Sequence, residues 1–391
     1  MGRQLAARHG KGAEREEVTL PLRHRRSPGR RPDRLSLQTG AGKGFRHHLF
    51  QKTMKAKMKL LISCLLAASL TTAAYSCKGK TNNNSNTTDT AATAKPAGPR
   101  FDADSAYSYT AVQCQFGPRT MNSAAHEACR KWIVGKFKQF GCEVQEQNAD
   151  LKGYDGTVLK STNIIARFNP KEKKRILLCA HWDSRPWADN DPDSTNHRKP
   201  VMAANDGASG VAVMLEIARL LQTDKKFAMG VDFVCFDAED WGVPQWETGY
   251  QDTGDSWALG AQYFSKNLPA GPKPEFGILL DMVGGEGAQF YREGMSMQFA
   301  PDIVSRVWEA ARSAGCGSYF PDAVGGMVTD DHVPVNQNSG IPTIDIIPYY
   351  PDCQQSSFGP TWHTVNDTME HIDKNTLQAV GQTVIQVLYT K

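Results

Sequence analysis

Apolar runs that end on acids or histidines constrain this chain most. Four largely apolar runs occupy residues 176–180, 231–236, 276–280 and 343–347, broken by Asp232 in the second and Asp345 in the last. Runs this short fit strands covered on both faces. Residues 158–168 alternate enough to add another strand. Helical stretches lie between the runs, at 208–221, 257–266 and 301–314, and a last one at 375–389 closes the chain. Earlier, Asn122 is positioned to cap a helix that runs to Phe140 and stops at Gly141. Its apolar face is Cys129, Trp132, Ile133, Phe137 and Phe140, a helical spacing. The alternation predicts an α/β domain with a mainly parallel, mixed central sheet sandwiched by helices.

In open α/β sheets, ligands bind beyond the carboxyl ends of the strands. His181-Trp182-Asp183 follows the first run, and Asn205-Asp206-Gly207 precedes the next helix. Asp237-Ala238-Glu239-Asp240 follows the second run, Asp281 follows the third, and Trp362-His363-Thr364 lies before the last helix. One acid at a helix start is commonly a cap. Five such segments in succession exceed what capping explains. Asp206, Asp240 and His363 would give zinc three ligands and leave a fourth place open. Each has a plainer reading. Asp206 could be an N-cap, and His363 a packed histidine. Asp240 is hardest to explain structurally, because it adjoins Glu239 and two carboxylates repel unless a cation or proton separates them.

In order, these segments resemble the zinc-aminopeptidase superfamily over residues 101–391. The resemblance implies that fold. In the peptidases two zincs share the equivalent of Asp206, with His181 and Asp281 completing one site and Asp240 and His363 the other. Trp246, Trp362 and Thr329-Asp330-Asp331-His332-Val333-Pro334 resemble the glutaminyl cyclase branch instead. That branch implies one zinc per chain, held by Asp206, Asp240 and His363. Animal relatives carry Glu where Asp240 stands; Asp is shorter but still a good oxygen ligand. His181 would remain outside the ligand set, and Asp183 would orient a histidine or carboxylate behind it.

The implied reaction closes an N-terminal glutamine into pyroglutamate and releases ammonia. The partners would be peptides and proteins with that terminus. Glu239 would carry the proton, with Asp281 and Asp330 sharing protons near the amine. Trp246 and Trp362 would wall the substrate pocket. Trp182 reads either as a third wall or as core, and Asp331 and His332 as loop-stabilising. The rival readings are a two-zinc aminopeptidase and a non-catalytic module on the same scaffold.

The formal charge of +4 does not point to nucleic acid. Residues 1–53 hold thirteen Lys and Arg against four Asp and Glu, a local +9 that leaves −5 for the rest. This segment reads as a disordered or mis-called extension, with Met54 or Met58 as the true start. Residues 54–77 read as a signal peptide: Lys55, Lys57 and Lys59, an apolar stretch at 60–70, then small residues up to Cys77. Ala74-Tyr75-Ser76-Cys77 resembles a lipobox. The expectation is an exported, periplasmic lipoprotein, membrane-bound only through Cys77, with ordinary cleavage and a free Cys77 as the competing reading. Residues 78–100 read as a flexible tether and 101–391 as one catalytic domain. The seven cysteines beyond Cys77 show no CxxC spacing, which argues against a disulfide framework.

Overall fold

The computed structural model describes residues 96–390. The extension 1–53, the expected signal 54–77 with Cys77, and the tether as far as residue 95 lie outside the described residues. A six-stranded sheet runs in the order β1 (Glu143–Lys152), β2 (Val158–Phe168), β4 (Gly230–Phe236), β3 (Arg175–His181), β5 (Gly277–Leu280) and β6 (Thr343–Ile346). The pairs β3–β4, β3–β5 and β5–β6 are parallel. The pairs β1–β2 and β2–β4 are antiparallel. The sheet is therefore mixed, with its parallel part where the apolar runs lie.

Side chains alternate across the sheet and divide the core in two. Leu178, Ala180, Phe233, Cys235, Ile278 and Leu280 join the larger cluster, which includes residues of α1 (Ala103–Gln115), α2 (Ala124–Gln139), α3 (Ala208–Thr223) and α7 (Lys374–Tyr389). Leu177, Cys179, Val234, Phe236 and Leu279 face the other way, with Ala261 and Phe264 of α4 (Leu259–Lys266). Both faces are covered, as continuous apolar strands require. The seven cysteines of this region are free thiols, and Cys129, Cys142, Cys179 and Cys235 are buried. No helix among the described residues is long and apolar enough to cross a membrane.

Three expectations change. Asn122 does not cap α2; Ser123 does, its hydroxyl accepting from His126 N at 3.1 Å. Asn122 sits in the left-handed region at φ 65° and joins two points of β2, donating to Val158 O and accepting from Lys160 N. The folded domain also begins before residue 101. Ala97 N donates to Gln386 Oε1 at 2.7 Å, so the end of the expected tether docks on α7. Finally, β1 and α1 add to the elements read from sequence.

Close packing brings α3 against the strand ends. A Cβ on Gly210, in its first turn, would collide with the Leu280 carbonyl oxygen and crowd Ala180 Cβ. Only glycine lets this turn approach, which sets the height of the preceding Asp206 loop. Gly210→Ala is expected to destabilise the fold by about 1–3 kcal/mol through overpacking, read as a drop in denaturant midpoint. An unchanged midpoint would show that α3 can move without penalty.

Candidate active site and metal centre

The loops at the strand ends are held by buried carboxylates that accept backbone N–H groups. Asp183 accepts from Glu239 N at 3.1 Å and Asp240 N at 3.2 Å. Asp367 accepts from Asn205 N at 2.8 Å and Asp206 N at 3.1 Å. Asp237 accepts from Thr162 N and Ala238 N and pairs with His126 Nε2 at 2.8 Å. Near these segments the backbone takes conformations that side chains disfavour: Ala203, Ala238, Met282 and His363 have φ of 59°, 53°, 53° and 52°. Left-handed non-glycine residues cost on the order of 1–3 kcal/mol each and cluster at functional sites. Each of the four lies at or next to a site segment.

Asp206, Asp240 and His363 converge, each buried, with ligand atoms all within 4.8 Å of one another. His363 Nε2 is 3.6 Å from Asp206 Oδ2 and 3.3 Å from Asp240 Oδ1. Its other nitrogen, Nδ1, lies 3.5 Å from Asp189 Oδ1, which aims Nε2 at the two acids. Asp189 is gripped in turn by Arg185 through two 2.7 Å bonds. Arg185 Nη1 also donates to Asp240 O at 3.1 Å, and its guanidinium carbon lies 4.6 Å over the Trp257 ring. Asp240 Oδ2 is buried without a hydrogen-bond partner. A buried carboxylate with one oxygen orphaned and the other 3.3 Å from an imidazole, beside a second carboxylate, suits a divalent metal of N/O preference.

A second group of donors shares Asp206. His181 Nε2 lies 2.8 Å from Asp206 Oδ1 and 3.3 Å from Asp281 Oδ1. His181 Nδ1 lies 3.6 Å from Asp183 Oδ1, so Asp183 serves both the histidine and the acidic pair. Asp330, His332 and Asp345 make a third buried group. There His332 Nε2 is 3.2 Å from the Glu293 carboxylate.

These groups open onto a cavity of about 280 Å³. Asp206, Glu239, Asp281, Asp330 and His363 form its polar side. Trp257 and Trp362 flank His363, their rings stacked on the imidazole at 6.0 Å and 3.8 Å, and both line the cavity. Burial pushes Glu239 well above the usual carboxylate range, and the charges of Asp240 and Asp330 add to it. Burial, with the charge of Asp281, pushes Asp330 up to about 7. Acid groups that hold their protons near neutral pH are suited to proton transfer.

Two of the expected wall residues lie elsewhere. Trp182 is fully buried in the core, stacked on His126 at 4.1 Å, with Nε1 donating to Thr162 O. Side chains alternate as the chain leaves β3, so His181 and Asp183 face the site while Trp182 points away. Trp246 packs edge-on against Trp187 at 6.0 Å and under Arg198, outside the cavity lining. Trp257 takes the place expected for it, with Nε1 donating to Asp252 Oδ2 at 2.8 Å. The sequence reading also missed Arg185, Asp189 and Asp367. Burial and the charge of Asp206 push Asp367 up to about 7.

The model of "Peptidase family M28" matches residues 163–388. The chain is 53% identical to Bacteroides thetaiotaomicron glutaminyl cyclase, whose crystal structure holds N-acetylhistamine; the TM-score is 0.73, covering 75% of this chain and 99% of that one. It is 50% identical to a Zn-dependent exopeptidase from Parabacteroides distasonis, with TM-score 0.73 and coverage of 75% and 100%. Aminopeptidase YwaD of Bacillus subtilis is 29% identical over 272 residues, 66% of this chain. The chain spans only about half, 50%, of that relative's length. With its mixed sheet, its metal-ligand sets at the strand ends and a family match across more than half its length, the chain belongs to peptidase family M28.

Proposed function

We propose that this chain is a zinc-dependent glutaminyl-peptide cyclotransferase. One zinc per chain would be held by Asp206, Asp240 and His363. The observation that carries the reading is Asp330. It is a buried carboxyl at the cavity wall, pushed up to about 7, across from Glu239 and next to Asp281. A reaction that binds an amine and expels ammonia needs such proton-bearing groups. The similarity to the Bacteroides thetaiotaomicron cyclase over nearly all of that chain supports it. So does the size of the cavity, which suits one terminal residue.

When bound, the zinc supplies Lewis-acid polarisation of the glutamine γ-carbonyl. Trp257 and Trp362 confine the glutamine side chain and exclude water. The α-amine nitrogen bonds to the γ-amide carbon, and the bond from that carbon to its nitrogen breaks. Glu239 takes a proton from the attacking amine and passes it to the departing nitrogen, which leaves as ammonia. Glu239 ends as it began. Its raised pKa makes it a stronger base once ionised. Asp281 and Asp330 hold the amine by hydrogen bonds. Nucleophile and electrophile share one molecule, so orientation contributes much of the acceleration.

A second reading has one specific observation in its favour. His181, Asp206 and Asp281 form another complete donor set. A two-zinc aminopeptidase would use it. Mass analysis of a Gln-initiated peptide separates the two readings. The cyclase removes one ammonia, and the peptidase removes a whole residue; loss of the residue would overturn the proposal.

The same reading makes the chain an exported, periplasmic protein, with residues 54–77 as its signal and a lipid on Cys77 as its membrane anchor. Its partners are peptides and proteins that begin with glutamine. Labelled palmitate is expected to enter the wild-type chain expressed in a bacterial host and not Cys77→Ser. Equal labelling, or none in either, would remove the anchor.

Glu239→Gln is expected to keep zinc and lose about 10²–10⁴-fold in kcat. Near-full turnover would contradict its proton-carrying role. Asp189→Asn is expected to weaken zinc affinity about 10–100-fold in a chelator competition, because it loosens His363 without removing a ligand. Unchanged affinity would show that Asp189 serves Arg185 alone.

A further inference from the structure

The apolar wall of the cavity is shared with a second pocket. Val328, Ile347 and Phe358 line the active-site cavity and also line a pocket of about 50 Å³. Tyr291 and Tyr349 supply aromatic sides, their rings edge-on at 5.3 Å. Gly325 and Gly326 leave room by contributing no side chain. Met327 also lines the pocket and is 63% exposed, unusual for a large apolar residue.

This pocket is built rather than incidental. Arg292 N donates to Ala323 O, Gly325 N to Arg292 O, and Gly294 N to Gly326 O, all at 2.8–2.9 Å. Glu293 lies between Arg292 and Gly294 on the first of these two bonded segments and is 2% exposed. Its carboxylate accepts from Met295 N, Ser296 N, Ser296 Oγ and Val328 N. Burial would raise its pKa, but His332 and these donors outweigh burial and hold it at about 2. Its oxygens are thus committed to neighbours and are not free to pair with a basic ligand.

We infer that this pocket receives the second residue of the substrate peptide and selects a branched aliphatic side chain there. The inference rests on the cyclotransferase reading. A terminal glutamine seated in the larger cavity places its successor one residue further along, about 3.3–3.6 Å of chain. Val328, Ile347 and Phe358 line both spaces, so a chain leaving the larger cavity past this wall meets the smaller pocket. Size sets the preference. A cavity of roughly 150 Å³ is needed to enclose a benzene ring. A pocket of about 50 Å³ holds the tip of Val, Leu or Ile and excludes an indole. Selection by a few methyl groups in such pockets is worth on the order of tenfold.

The test compares kcat/KM for peptides beginning Gln-Leu, Gln-Gly and Gln-Trp, read by ammonia release. Two variants accompany the wild type. At Gly326 an added Cβ meets only the Tyr349 ring, at ordinary contact distance, so Gly326→Val fills the pocket without a backbone clash. Met327→Asp places a charge on its rim. Thermal unfolding checks that both variants fold. The wild type is expected to favour Gln-Leu about tenfold over both others. The ratio of Gln-Leu to Gln-Gly is expected to fall within about twofold in either variant. Equal rates on all three peptides, or a wild-type preference that survives both variants, would overturn the inference. Absence of turnover on every Gln peptide would instead sink the cyclotransferase reading, and the inference with it.

Discussion

A carboxylate taken out of water needs donors or a cation, and the arrangement of this domain follows from how it meets that need. Asp183, Asp237 and Asp367 spend their oxygens on backbone amides. In doing so they fix the loops at the ends of β3 and β4 and before α3. Asp189 is matched by the Arg185 guanidinium, which is buried among carbonyls and a tryptophan face. The amide donors run out at the centre and behind it, where Asp331 and Asp345 keep both oxygens unpartnered. At the centre Asp206, Asp240 and Asp281 face His181 and His363, and Asp240 keeps an unpartnered oxygen. The second rank of acids makes a rigid frame, and the first rank is left with charge that only a metal or protons can balance.

The same frame explains the local backbone. Ala203, Ala238, Met282 and His363 adopt left-handed conformations that no side chain there prefers. Carboxylates of Asp237 and Asp183 hold the turn at Ala238, and Ser209 and Asn205 hold the one at Met282. Ala238 and Met282 each lie two residues past a strand end, and His363 is itself one of the expected ligands.

Much of this was legible in sequence, for a physical reason. Strands covered on both faces are largely apolar, so 176–180, 231–236, 276–280 and 343–347 stand out despite Asp232 and Asp345, and the residues just past them are marked as site candidates. Other features left no such mark. β1 reads Glu-Val-Gln-Glu-Gln-Asn-Ala-Asp-Leu-Lys, polar on both faces because it lies at the rim, and it carries no buried stripe to detect. Arg185, Asp189 and Asp367 act through neighbours far away in sequence, so spacing alone cannot find them. Trp182 misleads for the opposite reason. Adjacency along a strand end places neighbouring side chains on opposite sides. Trp257 was passed over because it opens a helical stretch, although it is its ring that faces His363.

The rim strand has a consequence for the molecule in a crowd. β1 closes one side of the sheet with one row of its peptide groups open. Such a row is a template on which another chain can polymerise. Here Glu143, Glu146, Asp150 and Lys152 stud the strand, and Lys160 of β2 pairs with Asp150 across it. An incoming strand would have to strip water from these charges on both faces. The hydrophilic border that made β1 hard to read also works as a barrier to fibre growth.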